Sequence, residues 1–148
     1  MATKPGREKY IESPEKMMEY FEAYKQQVKG NPITFTDWVG GMGMQVTREK
    51  ERPLTMEGFE NYLFVNGILA DVSDYFENKQ GRYAEYAPIC RTIRKLIRQD
   101  QIEGGMAGIY NPSITQRLNG LVDKAETDNK GDIKIKVTYA EGNQNSPE

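Results

Sequence analysis

Apolar side chains recur along this chain with two periods, and each period marks a kind of element. Met17, Phe21, Tyr24 and Val28 stand at i, i+4, i+7 and i+11, the spacing of a single helical stripe. Ser13-Pro14-Glu15 opens that helix. The serine side chain accepts an orphan N–H, proline suits the first helical position, and the glutamate meets the positive end of the dipole. Gly30 ends the helix. The period then falls to two. Ile33 to Trp38 and Met44 to Arg48 alternate on either side of Gly40-Gly41-Met42-Gly43, which predicts a β-hairpin over about 33–48 with Trp38 and Met44 packed at its base. Arg48 to Pro53 reads as a charged linker. Thr55 caps the next helix, which turns Phe59, Tyr62 and Leu63 inward before a tight turn at Asn66-Gly67. A second short helix is expected from about Ala70 to Asn78, with Val72, Tyr75 and Phe76 inward. Together these two outline a helix-turn-helix-like unit over about 55–78.

Helical spacing divides the stretch from Pro88 to Arg98 into two opposed stripes. Ile89, Ile93, Leu96 and Ile97 lie on one side, and Arg91, Arg94, Lys95 and Arg98 on the other. One helix therefore offers a core face and a cationic face. Past Arg98 the pattern is disturbed, with Asp100 on the apolar side and Ile102 on the basic side, and Gly104-Gly105 is expected to end the helix. Asn111 and Pro112 then start a last helix, at about 111–124, whose apolar stripe is Ile114, Leu118, Leu121 and Val122. After a linker, residues 132–140 alternate strictly, with Ile133, Ile135, Val137 and Tyr139 on one face. Such a strand has no obvious partner in its own chain, so pairing among copies into an inter-subunit barrel without edges is the expectation. The pattern thus predicts a mainly α protein with a small β-hairpin and a C-terminal β-strand. Residues 1–12 form a flexible arm, 13–110 a helical core, 111–124 the C-terminal helix, and 125–148 linker, oligomerisation strand and tail.

Composition changes this picture in three ways. At 148 residues the chain holds one compact domain with appended segments, and a mean hydropathy of -0.76 suggests that part of it is tail or that other copies complete its burial. The net charge is only -2, so any affinity for nucleic acid must come from a local patch. Such a patch exists. Between residues 79 and 98 the cations Lys79, Arg82, Arg91, Arg94, Lys95 and Arg98 face a single acid, Glu85, giving a local +5. These six are the candidate DNA-binding residues, and the same stripe also fits a solvated face or the carboxylates of a neighbouring subunit. Against direct base reading, the Ala70 to Asn78 helix carries Asp71, Asp74 and Glu77, which phosphates repel, and leaves only Ser73, Asn78 and Lys79 to meet DNA.

Third, the chemistry of catalysis is sparse. There is no histidine, hence no Ser-His or Cys-His dyad and no imidazole ligand for a metal. Gly40-Gly41-Met42-Gly43 lacks the Lys-Ser/Thr of a phosphate loop. No catalytic residue, metal or cofactor is expected, and the protein is read as a non-enzyme. The single cysteine, Cys90, borders the apolar stripe as a small buried hydrophobe and points to a reducing compartment. Neither a signal core nor a membrane-length apolar run appears, so the expectation is a soluble, non-secreted protein with no membrane partner.

The order of these parts resembles a known family. The E-S-P-E-K-M-M-E-Y-F-E-A-Y helix, the Asn31-Pro32 hairpin entry, R-P-L-T-M-E-G-F, the Ala84 to Gly104 helix and G-I-Y-N-P-S-I-T-Q-R-L look like the small subunits of phage terminases, over roughly residues 11–122. The resemblance implies a ring-forming, non-enzymatic homo-oligomer in the host cytoplasm. It would recognise double-stranded viral DNA and deliver it to the large terminase subunit, an ATPase and nuclease, to start genome packaging. The rival from the residues alone is a dimeric helix-turn-helix transcriptional regulator. A further reading is an assembly protein without a DNA role.

Overall fold

A computed structural model of the protein describes residues 9–121. The expected strand at 132–140, with Ile133, Ile135, Val137 and Tyr139 and the barrel they would build, lies outside the described residues. The chain begins with α1 (Pro14–Lys29), where the Ser13 hydroxyl accepts the Lys16 N–H at 3.1 Å as the sequence requires. The antiparallel strands β1 (Ile33–Val39) and β2 (Met44–Lys50) follow, in register from Ile33 opposite Lys50 to Val39 opposite Met44. Next come α2 (Met56–Val65), the four-residue α3 (Ser73–Phe76), two short 3-10 turns at Lys79–Gly81 and Ala84–Tyr86, the 20-residue α4 (Ala87–Met106) and α5 (Pro112–Asn119).

α1, α2, α3 and α4 enclose one core. Met17, Phe21 and Tyr24 of α1 meet Phe59 and Leu63 of α2, Tyr75 of α3, and Cys90, Ile93 and Ile97 of α4. Phe21 and Phe59 pack edge to face with centroids 5.4 Å apart, the arrangement that ring quadrupoles favour. Cys90 is the small buried hydrophobe expected, with its sulfur 3.7 Å from that of Met17. The core also takes in part of the expected arm. Ile11 is fully buried; its N–H donates to the Tyr75 hydroxyl at 2.9 Å and its carbonyl accepts from that of Tyr86. Residues 9–12 are therefore docked and not a flexible arm, because two tyrosine hydroxyls buried among apolar groups need partners that this peptide supplies.

Asp100, the acid on the wrong side of the wheel, joins three parts of the chain. Its carboxylate pairs with the Lys29 ammonium at the end of α1, accepts the Leu54 N–H at 2.8 Å and accepts the Tyr110 hydroxyl at 3.2 Å. Lys29 also reaches Glu51 at 2.7 Å and the Arg52 carbonyl at 3.2 Å. Burial alone would lower the lysine pKa, but the hydrogen bonds to Asp100, Glu51 and Tyr110 outweigh it and hold the ammonium well above its ordinary value. Its contribution to stability is thus fully present below the unfolded lysine pKa and constant across neutral pH.

The structure corrects several local expectations. Trp38 and Met44 sit beside the glycine turn at the hairpin's tip, not its base, and both are exposed. Register decides this: Val39 to Met44 is the last pair before the loop. β2 runs to Lys50, so half of the expected linker is strand, with Arg48 paired to Asp37 at 2.8 Å. The helix expected over Ala70 to Asn78 shrinks to the single turn Ser73–Phe76, and the left-handed Asn78 at φ 50° keeps it from running on. Gly104 and Gly105 do not end α4 but lie buried within its last turns. A Cβ on Gly104 would overlap the Tyr110 ring, and one on Gly105 would lie 2.7 Å from the Thr115 Cγ2. They form a notch that lets the following turn and α5 close onto α4. α5 itself buries Thr115 and Asn119 and turns Ile114 and Leu118 outward, reversing the face predicted for it.

Two substitutions test these joints. Asp100→Ala should cost about 1.5–3 kcal/mol, the usual effect of removing hydrogen bonds to a charged group. Gly104→Ala should cost about 1–3 kcal/mol by overpacking against Tyr110, although alanine is the better helix former by roughly 1 kcal/mol. Urea unfolding of each variant checks both, and a stabilised Gly104→Ala protein would contradict the notch.

Candidate nucleic-acid interface

The six sequence-predicted cations fall into two groups. Lys79 and Arg82 belong to the irregular segment after α3, whereas Arg91, Arg94, Lys95 and Arg98 project from the outer face of α4, all four exposed. That face forms because Cys90, Ile93 and Ile97 are committed to the core on the opposite side of the same helix. From Arg91 to Arg98 the stripe runs about 10 Å along the axis. A duplex carries one phosphate charge per ~1.7 Å, so the stripe spans on the order of six charges.

The cations have different local engagements. Lys79 is held by Asp74 at 2.9 Å, which raises its pKa, and Arg82 lies 5.9 Å from the Tyr83 ring centroid. Arg94 places its guanidinium 5.1 Å from the Phe76 centroid, stacking on α3. Arg98 donates to the Asn119 carbonyl at 2.9 Å and so caps the end of α5. The side chains of Arg91 and Lys95 make no ion pair, hydrogen bond or ring contact among the described residues. Within the stripe those two have charge to spare, and they alternate with two that folding already uses.

Two of the three acids read as opposing DNA, Asp71 and Asp74, have local work, while Glu77 is exposed. The Asp71 carboxylate accepts the Ser73 N–H at 2.8 Å, and hydrogen bonding from Ser73 lowers its pKa. Asp74 holds Lys79. A helix of four residues is about 6 Å long, a single turn, and so lacks the length of the recognition helix that a helix-turn-helix lays in the major groove. The helix-turn-helix outline therefore reduces to α2 and one turn. Ser73 and Asn78 are both half-buried, and the Asn78 side chain accepts the Tyr83 N–H at 2.8 Å.

Sequence reasoning missed the Lys29–Asp100 joint, although the misplaced acid was its visible trace. It also missed the outward face of α5 and the exposed hairpin tip. Cys90 offers no reactive thiol, since burial pushes it up to about 11 against the opposing pull of Arg94. No helix among the described residues is long and apolar enough to cross a membrane. A family model described as DNA-packaging protein gp3 matches residues 6–127. No curated protein matches the chain.

The division among the cations predicts different effects on folding. Arg98→Ala should destabilise by about 0.5–1.5 kcal/mol, one hydrogen bond's worth. Arg91→Ala with Lys95→Ala should stay within about 0.5 kcal/mol of the parent, as surface changes without partners do. Thermal and urea unfolding of the purified proteins would show the contrast.

Proposed function

The chain belongs to the gp3 family of DNA-packaging proteins, so its role lies in viral genome packaging, and on that premise we propose that it is the DNA-engaging small terminase subunit. In this reading the outer face of α4 holds double-stranded viral DNA through its phosphates. The protein is not an enzyme. It brings DNA to a large subunit that supplies the ATPase and nuclease, and it acts as a homo-oligomeric ring.

The observation that carries the reading is the exposed stripe Arg91, Arg94, Lys95 and Arg98, in a chain whose net charge is -2. Cations concentrated on one helix face, in a protein with no general positive field, mark a local anion site. Repetition around a ring multiplies a slight affinity per subunit, because later contacts form at high effective concentration. Phosphate contacts carry little base information, so binding is expected to depend steeply on salt and weakly on sequence.

The test uses Arg91→Ala with Lys95→Ala in the full chain, the pair with no internal partner to forfeit. Fluorescence anisotropy against duplex DNA across a salt series should show weakened binding. The dependence of log affinity on log salt should become shallower by about 0.9 for each phosphate that the variant no longer neutralises. Unchanged affinity and slope would remove the stripe from the interface, whereas failed self-assembly with retained DNA binding would place these cations against a neighbouring subunit.

A further inference from the structure

Two apolar surfaces lie at opposite ends of the β1–β2 hairpin. At the tip Trp38, Met42 and Met44 are 65, 98 and 68 % exposed. Among the described residues the two strands pair only with each other, and none of the strand residues is buried, so the hairpin stands out from the helical body. From Trp38 to Gln45 there is no charged residue, and the flanking Asp37 and Arg48 neutralise one another at 2.8 Å. The tip therefore brings no cation to phosphate. An apolar wedge in DNA works beside Arg and Lys, and this one lacks them.

At the base of the hairpin is a groove of about 290 Å³ between Ile33, Pro53, Ile109, Ile114 and Leu118. Ile114 and Leu118 are the α5 residues turned outward, 55 and 70 % exposed. The charged side chains at its rim are directed elsewhere: Glu51 pairs with Lys29 at 2.7 Å, and Lys50 lies 5.8 Å from the Phe35 ring centroid. The groove thus matches the tip in being apolar and electrostatically quiet. Seven paired residues separate tip from base, about 20 Å of strand, so the two surfaces of one copy cannot meet.

We propose that the hairpin tip of one copy seats in the α5 groove of the next, joining subunits head to tail. This rests on the self-association reading above and adds the joint. Each copy presents one tip and one groove, which makes the contact heterologous, the type that generates closed rings when the rotation closes. A joint built on three large side chains is much smaller than the ~800 Å² per partner of a stable dimer. It holds when closure makes every contact intramolecular.

The experiment uses the full chain in three forms. Native mass spectrometry of the parent should give a multimer, and Trp38→Ser with Met42→Ser and Met44→Ser should give a monomer with unchanged circular dichroism, since all three side chains are exposed. Met42→Cys combined with Leu118→Cys, treated with a short bis-maleimide, should give a ladder of covalent multimers. Either cysteine alone should stay monomeric on the gel, because Cys90 is buried. A monomeric parent would overturn the self-association reading itself. A multimeric parent whose tip variant keeps the same mass, whose double-cysteine variant gives no ladder, or whose Met42→Cys form links into dimers would overturn the tip-in-groove joint alone.

Discussion

The Lys29–Asp100 pair is the contact on which the arrangement of the chain turns. Around it converge the end of α1, the segment leaving the hairpin, the middle of α4 and the turn before α5. A charged pair removed from water destabilises unless its remaining hydrogen-bonding capacity is satisfied, and here Glu51, the Arg52 carbonyl, the Leu54 N–H and Tyr110 supply that. These groups come from separate stretches of the chain that only folding brings together. The pair therefore sets how the hairpin is rooted and where α5 begins, and both apolar ends of the hairpin take their position from it.

α4 serves two surfaces at once. Its inner side is held by Cys90, Ile93 and Ile97, which fixes its rotation, and that rotation presents the four cations to solvent. Gly104 and Gly105 extend the same logic at its end, since only an absent side chain lets Tyr110 and Thr115 approach. The two glycines bring α5 close enough for Arg98 to reach the Asn119 carbonyl. Within a few residues one helix thus supplies core, cationic face and docking notch.

Much of this is legible in the sequence where local rules act alone. Ser13, Thr55 and Asn111 cap the helices assigned to them, the hairpin has the predicted strands, and Met17, Phe21, Tyr24, Ile93 and Ile97 are in the core. Errors arise where partners distant in sequence decide. The α5 stripe reads as a core face because apolar spacing is its strongest signal, yet Gly105 makes room for Thr115 and the Gln101 side chain accepts from the Asn119 amide, and these contacts hold Thr115 and Asn119 inward. The glycine pair reads as a terminator because only the fold reveals what lies above it. Ile11 looks like part of a free arm, since no local pattern announces that Tyr75 and Tyr86 will clasp a peptide more than sixty residues away. Helical spacing suffices to find the cationic face, but which of its members are free of structural duty depends on Phe76 and Asn119, far from them in the chain or on other elements.

The burial of Cys90 has a consequence for handling the protein. Its sulfur lies against Met17 and the Tyr75 carbonyl, enclosed by α1, α3 and α4 together. A thiol so placed is chemically quiet while those three helices remain joined, and it becomes accessible when they part. The chain thus carries one native label-free gauge of its own opening. In a preparation that ages in air, oxidation at that atom marks molecules whose core has already come apart and leaves the intact ones unmarked.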